Sequence, residues 1–172
     1  MATDPLFTEA DNFLRVLSDQ IAELSAHSRI LEDDTSEIRF QEYRKFRDSM
    51  SGCLTFTIII QNRIDRIAET DPKTAESLAD RLDGLTVRIW GILLKGALHF
   101  FQVISQKDSL PIGTHDVFTR ELRTLHDAGK FFQTPRYAKH ASDAMKRDYG
   151  IAEKILLQII ERAPGLLNVA SE

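Results

Sequence analysis

Apolar residues recur along this chain at alternating spacings of three and four, and strict apolar–polar alternation never persists beyond a few residues, so the pattern predicts helices and no strands. Leu14, Leu17, Ile21, Leu24, Ser28 and Leu31 form the first seam. Thr8, with Asp11 three residues on, has the makings of a capping box and sets the expected start of helix 1. The acidic run Glu32-Asp33-Asp34 suits the approach to a helix N-terminus better than a C-terminus, where the macrodipole disfavours anions. Helix 1 is therefore expected to break there.

Helix 2 is expected from about Ser36 to Glu69, because Tyr43, Phe46, Met50, Cys53, Thr57, Ile60, Ile64 and Ile67 keep the same rhythm. Asp71-Pro72 then supplies a cap followed by proline at the first helical position, which starts helix 3. Helix 3 carries two seams. Leu78, Leu82, Leu85, Ile89, Ile92, Gly96 and Val103 form one; Val87, Trp90, Leu94, Ala97, Phe101 and Ile104 form the other. Together they make an apolar arc of roughly 200°, about twice what a surface helix needs. Only a strip of Arg81, Gly84, Arg88, Gly91, Lys95 and Gln102 is left for solvent.

Leu110-Pro111-Ile112-Gly113 reads as a turn. A shorter helix 4 follows from Thr114, with Val117, Phe118, Leu122 and Leu125 on its apolar face and Gly129 as its left-handed stop. Thr134-Pro135 repeats the cap-plus-proline start for helix 5, whose face holds Ala138, Ala141, Met145, Ala152, Ile155, Leu156 and Ile159 before Pro164-Gly165 ends it. Short turns force neighbouring helices into opposite directions. The expected fold is all-α: an antiparallel up-down bundle of four long helices, 1, 2, 3 and 5, with one additional shorter helix, 4, as a flap or cap. A length of 172 residues fits a single domain over 1–172.

With 42% hydrophobic and 28% charged residues the chain has the balance of a globular protein. Leu85 to Ile104 is long enough to cross a bilayer, yet it contains Arg88, Lys95 and His99, which argues against a membrane span. A net charge of −4 argues against a dedicated nucleic-acid binder. The opening Met-Ala-Thr-Asp-Pro has neither the basic nor the apolar region of a secretory signal, so a cytoplasmic setting is expected. Cys53, the one cysteine, is expected in the core.

Helical bundles that bind paired metals use Glu-x-x-His, and no such pair occurs here. His27, His99, His115, His126 and His140 are scattered, so neither a metal nor a cofactor is expected. His99 continues the first seam of helix 3 and, in a helix 2–helix 3 hairpin, should lie level with Glu42 and Tyr43. The run His126-Asp127-Ala128-Gly129-Lys130 resembles the histidine phosphotransfer motif in its ingredients, with glycine and lysine in the opposite order to the usual His-x-x-Lys-Gly. Arg120 and His126 resemble the Arg–His spacing of HEPN ribonucleases, with Glu121 where a polar residue usually follows the arginine. Either resemblance implies an enzyme or phosphotransfer protein working through His126, Arg120 and Lys130.

A region rich in base, with Arg120, Arg123, Lys130, Arg136, Lys139, Lys146 and Arg147, balances an acidic helix 1. The wide apolar arc of helix 3 calls for burial by helix 4, by a second subunit or by an apolar ligand. The expectation is thus a non-enzymatic, adaptor-like or regulatory bundle with a protein partner, self-associating as a homodimer through helices 2 and 3. Trp90, Leu94, Ala97, Phe101, Ile104, Phe56 and Ile60 are its candidate interface or ligand residues. A sensor or carrier holding an apolar ligand among Phe56, Ile60, Ile89 and Phe100 is the third reading.

Overall fold

A computed structural model describes residues 5–33, 40–105 and 115–162, and all of the secondary structure in them is helical. The order is α1 (Pro5–Asp33), α2 (Phe40–Ala68), α3 (Pro72–Ser105), α4 (His115–Gln133), α5 (Pro135–Ala138) and α6 (Asp143–Arg162). Helix α1 starts three residues before the expected Thr8 cap, at Pro5, where the first turn has no use for the amide that proline lacks. Helix α1 runs through Glu32 to Asp33, into the acidic run expected to break it; the remainder of that expected turn at 34–35, the turn at 110–113 and the stop at Pro164-Gly165 lie outside the described residues.

Phe13 meets Phe56 with ring centroids 5.4 Å apart and Glu9 pairs with Arg63 at 3.3 Å, so α1 and α2 run in opposite directions. Tyr43 stacks on Phe100 at 5.7 Å, bringing the start of α2 level with the end of α3, as the hairpin register predicts. The turn between them is built by Asp71. Its carboxylate accepts from the Thr74 amide at 3.1 Å and the Thr74 hydroxyl at 2.6 Å, the predicted cap ahead of Pro72.

Helix α3 is the central wall of one continuous core, covered on two sides. One seam, with Leu78, Leu82 and Ile89, is buried against α1 and α2; the other, with Leu94, Ala97 and Phe101, is buried under α4 and α6. Phe101 packs edge-on to Phe118 at 5.5 Å, and Trp90 stacks on Phe131 at 5.1 Å, so α4 runs back along α3. Helix α4, expected as a flap or cap, is instead part of the core, since Leu122, Leu125 and Ala128 are buried.

Three local expectations are corrected. Gly129 does not stop α4, which continues to Gln133; the glycine sits where a Cβ would come within 3.2 Å of the Tyr149 hydroxyl of α6. Thr134-Pro135 starts only the four-residue α5, and Thr134 turns its hydroxyl back to the Lys130 carbonyl at 3.0 Å without capping anything. The long helix begins later, at Asp143, just after Ser142, whose Oγ accepts from the Met145 amide at 3.2 Å. Finally, the strip on α3 is not wholly open. His140 lies over Gly84, and Met145 lies so close over Gly91 that a Cβ there would meet its methyl at 2.7 Å.

Candidate functional site

Charged residues buried among apolar ones are the first place to look for chemistry, because burial is costly unless each charge is paired. Arg47 of α2 donates to Glu121 of α4 at 2.7 Å and to the Thr124 hydroxyl at 2.6 Å, with Glu121 at 0% exposure and Arg47 at 5%. Tyr43 stands against the same carboxylate, yet neither its hydroxyl nor Glu121 Oε2 completes a hydrogen bond among the described residues. Removal from water raises the proton affinity of Glu121, and the Arg47 guanidinium opposes the rise. Burial, followed by the nearby Glu121 charge, pushes the Tyr43 phenol well up. At the surface of this cluster Arg120 donates to Asp48 at 2.8 Å.

A second set of ties holds the α5 turn. Arg136 donates to the buried Asp83 at 2.7 Å and to Gln61 at 3.2 Å, and Lys139 pairs with Asp80 at 2.5 Å. Tyr137 stacks on Phe131 at 4.1 Å, continuing the stack from Trp90. Part of the basic region between 120 and 147 is therefore engaged in ties between helices: Arg120, Arg136 and Lys139 each reach an acid on α2 or α3.

The residues expected to carry chemistry are not gathered into one centre. His126 is exposed and lies 3.3 Å from its neighbour Asp127, with Lys130 one turn further along the same exposed side of α4. The space above Gly129, which a phosphoryl group would need, holds Tyr149. Arg120 points to Asp48 across the gap to α2. His99 is half-buried, and His140 Nε2 approaches Asp80 at 3.2 Å. The side chains of His27 and His115 lie outside the described residues. Among the described residues no group of three or more His, Cys, Asp and Glu could hold a metal ion.

The candidate interface residues of α3 are covered by the chain's own helices. Leu94, Ala97 and Phe101 are buried, as is Ile60 of α2, while Trp90 and Phe56 are half-buried; the Ile104 side chain lies outside the described residues. Ile60, Ile89 and Phe100, expected to line a ligand cavity, are each at 0% exposure in close packing. Phe56 instead lines a groove of 460 Å³ between α1 and α2 together with Val16, Gln20, Leu24, Gly52 and Cys53. Burial raises the Cys53 thiol pKa.

What the pattern did not single out is the outer face of α2. Ser51, Thr55, Ile58, Ile59 and Asn62 are all exposed and none is charged, with Ile58 at 61% and Ile59 at 46%. The hydroxyl of Ser51 donates to the Arg47 carbonyl at 3.0 Å and that of Thr55 to the Ser51 carbonyl at 3.1 Å, so these two hydroxyls are already satisfied by their own helix. Among the described residues no helix is long and apolar enough to cross a membrane. Comparison with protein-family models, curated proteins and solved structures finds no match to this chain.

Proposed function

We propose that this chain is a non-enzymatic interaction bundle that offers the outer face of α2 to a protein partner. The carrying observation is the uncharged exposed stripe centred on Ile58 and Ile59, in a chain with 28% charged residues. Covering two half-exposed isoleucines supplies roughly 1–2 kcal/mol each. The hydroxyls of Ser51 and Thr55 leave no donor to be stranded when the face is covered, because each already donates within the helix. The buried charged groups support the same reading: Arg47 and Glu121 join α2 to α4, and the buried Asp83 is tied to the exposed Arg136. A cytoplasmic setting, where a lone reduced thiol such as Cys53 is the rule, belongs to the same proposal.

Crosslinked capture from native cells tests it, with the unmodified chain beside an Ile58→Glu, Ile59→Glu double variant. Both positions are exposed, so the variant keeps its fold. A specific partner is expected with the parent and lost with the variant; identical recoveries from the two would reject α2 as the surface.

A second reading keeps His126 as a proton-transfer or phosphoryl-accepting group, favoured by the exposed His126–Lys130 pair one turn apart on α4. RNA cleavage or phosphohistidine formation by the parent and not by His126→Ala would establish it over the first.

A further inference from the structure

The outer face of α2 is complementary to itself, and we infer that it pairs with a second copy of this chain in an antiparallel, two-fold contact. This rests on the interaction reading above and names the partner for that same surface. Asp48 and Arg66 are both exposed, and about five full helical turns separate them, so they stand on one line along α2, roughly 27 Å apart. Thr55 and Ile59 lie between them, each within about 20° of that line and at equal distances from its midpoint. A line with an acid at one end, a base at the other and uncharged side chains between them matches its own reverse.

A two-fold axis level with residue 57 sets Asp48 of one copy opposite Arg66 of the other, Thr55 opposite Ile59, and then the same two pairs again in reverse. The small Thr55 gives the larger Ile59 room to seat as two helices approach to about 8–10 Å. A parallel pairing in register would instead set Asp48 against Asp48 and Arg66 against Arg66, so charge selects the antiparallel arrangement. Arg66 makes no ion pair among the described residues, and Asp48, bound to Arg120 through one oxygen, keeps 71% of its side chain exposed. Both ends therefore have capacity for a partner. A groove of mixed lining, with Val16 and Phe56 beside Gln20, Glu23 and Ser49, adjoins Gly52 on the α1 side of the line.

The test is native mass spectrometry with light scattering from about 1 to 100 µM, the range suited to a contact below about 1,200 Å². The charge variants are made in an Arg120→Gln background, so that the bond within the chain from Arg120 to Asp48 does not enter the comparison. A dimer is expected in the parent and the background. Asp48→Arg alone and Arg66→Asp alone should each weaken it about tenfold, by turning two attractive pairs into two repulsive ones. Asp48→Arg with Arg66→Asp together should restore it, because the swapped charges meet again across the axis. A parent that stays monomeric throughout overturns the inference, and so does a dimer that the double swap fails to restore. A monomer that still captures another protein through Ile58 and Ile59 overturns this pairing alone and leaves the interaction reading standing.

Discussion

Replacing Glu121 by leucine would leave the Arg47 guanidinium buried at 5% exposure with only the Thr124 hydroxyl to receive it. Breaking one side of such a pair costs about 3–5 kcal/mol, because an uncompensated charge stays behind. Arg47→Met should cost a similar amount by stranding the Glu121 carboxylate, one oxygen of which already lacks a partner. In a chain of this size 1 kcal/mol moves Tm by about 2–4 °C, so either single change should lower it by roughly 10 °C. The double variant removes both charges and fills their space with apolar groups. It should recover most of the loss and end within about 1 kcal/mol of the parent or above it. Urea unfolding of the four proteins, read by circular dichroism, gives the coupling directly. If the two single losses simply add in the double variant, the pair is not the unit described here. The same residue fixes a pH dependence. The folded-state pKa of Glu121 is raised above its ordinary 4.5, so its protonated form stabilises the fold, and that contribution fades as pH rises through the raised value. The parent should therefore gain stability relative to Glu121→Gln as pH falls from neutral towards 4.5; a difference independent of pH would show that burial does not govern this carboxyl.

Gly52 lies mid-helix with open space where a Cβ would stand, so Gly52→Ala should stabilise the chain by about 0.5–1 kcal/mol in thermal melts, and a loss would contradict that open space. Gly129→Ala, though also mid-helix, should gain nothing of the kind, because the new methyl meets Tyr149 at 3.2 Å and disturbs its bonds to Gln133 and Glu153; paired melts distinguish the two glycines. The Asp71 carboxyl is held below its ordinary 3.8 by the Thr74 side chain and amide, so its stabilisation is present above that value and fades as pH falls through the lowered one. Parent and Asp71→Asn melts should converge in acid. Cys53, buried and with its thiol pushed up, should react slowly with a maleimide in the folded protein and quickly in urea; fast labelling of the native chain would refute its burial.

The helical class and the core rhythm were legible because burial on a helix imposes a period that survives in one dimension, and the Asp71-Pro72 start held for the same local reason. Gly129 was misread since a glycine that ends a helix and one that admits a neighbour look alike; what decides is Tyr149, twenty residues further on. The arc on α3 announced that two sides would be covered, but a period cannot say by which element, and α4 with α6 supplied the cover. Glu121 did leave a trace. It lies on the line of Val117, Thr124, Ala128 and Phe132, all buried, where an acid has no business without a partner. Its partner Arg47, next to Phe46 on another helix, is beyond any local pattern. The α2 stripe was hidden in plain view, since attention to apolar seams passes over a face defined by the absence of charge.

The covering of α3 on two sides also bears on how the chain comes apart. Neither α1 with α2 nor α4 with α6 can keep its apolar face dry once α3 leaves, and stripping away α4 to α6 would bare Trp90, Leu94 and Phe101 together. Amides in the middle of α3 should be the slowest in the molecule to exchange with deuterium, opening only when both sides let go. A chain cut after Ser105 would then be a sticky fragment, self-associating through the bared side of α3 that α4 to α6 keep dry in the whole chain.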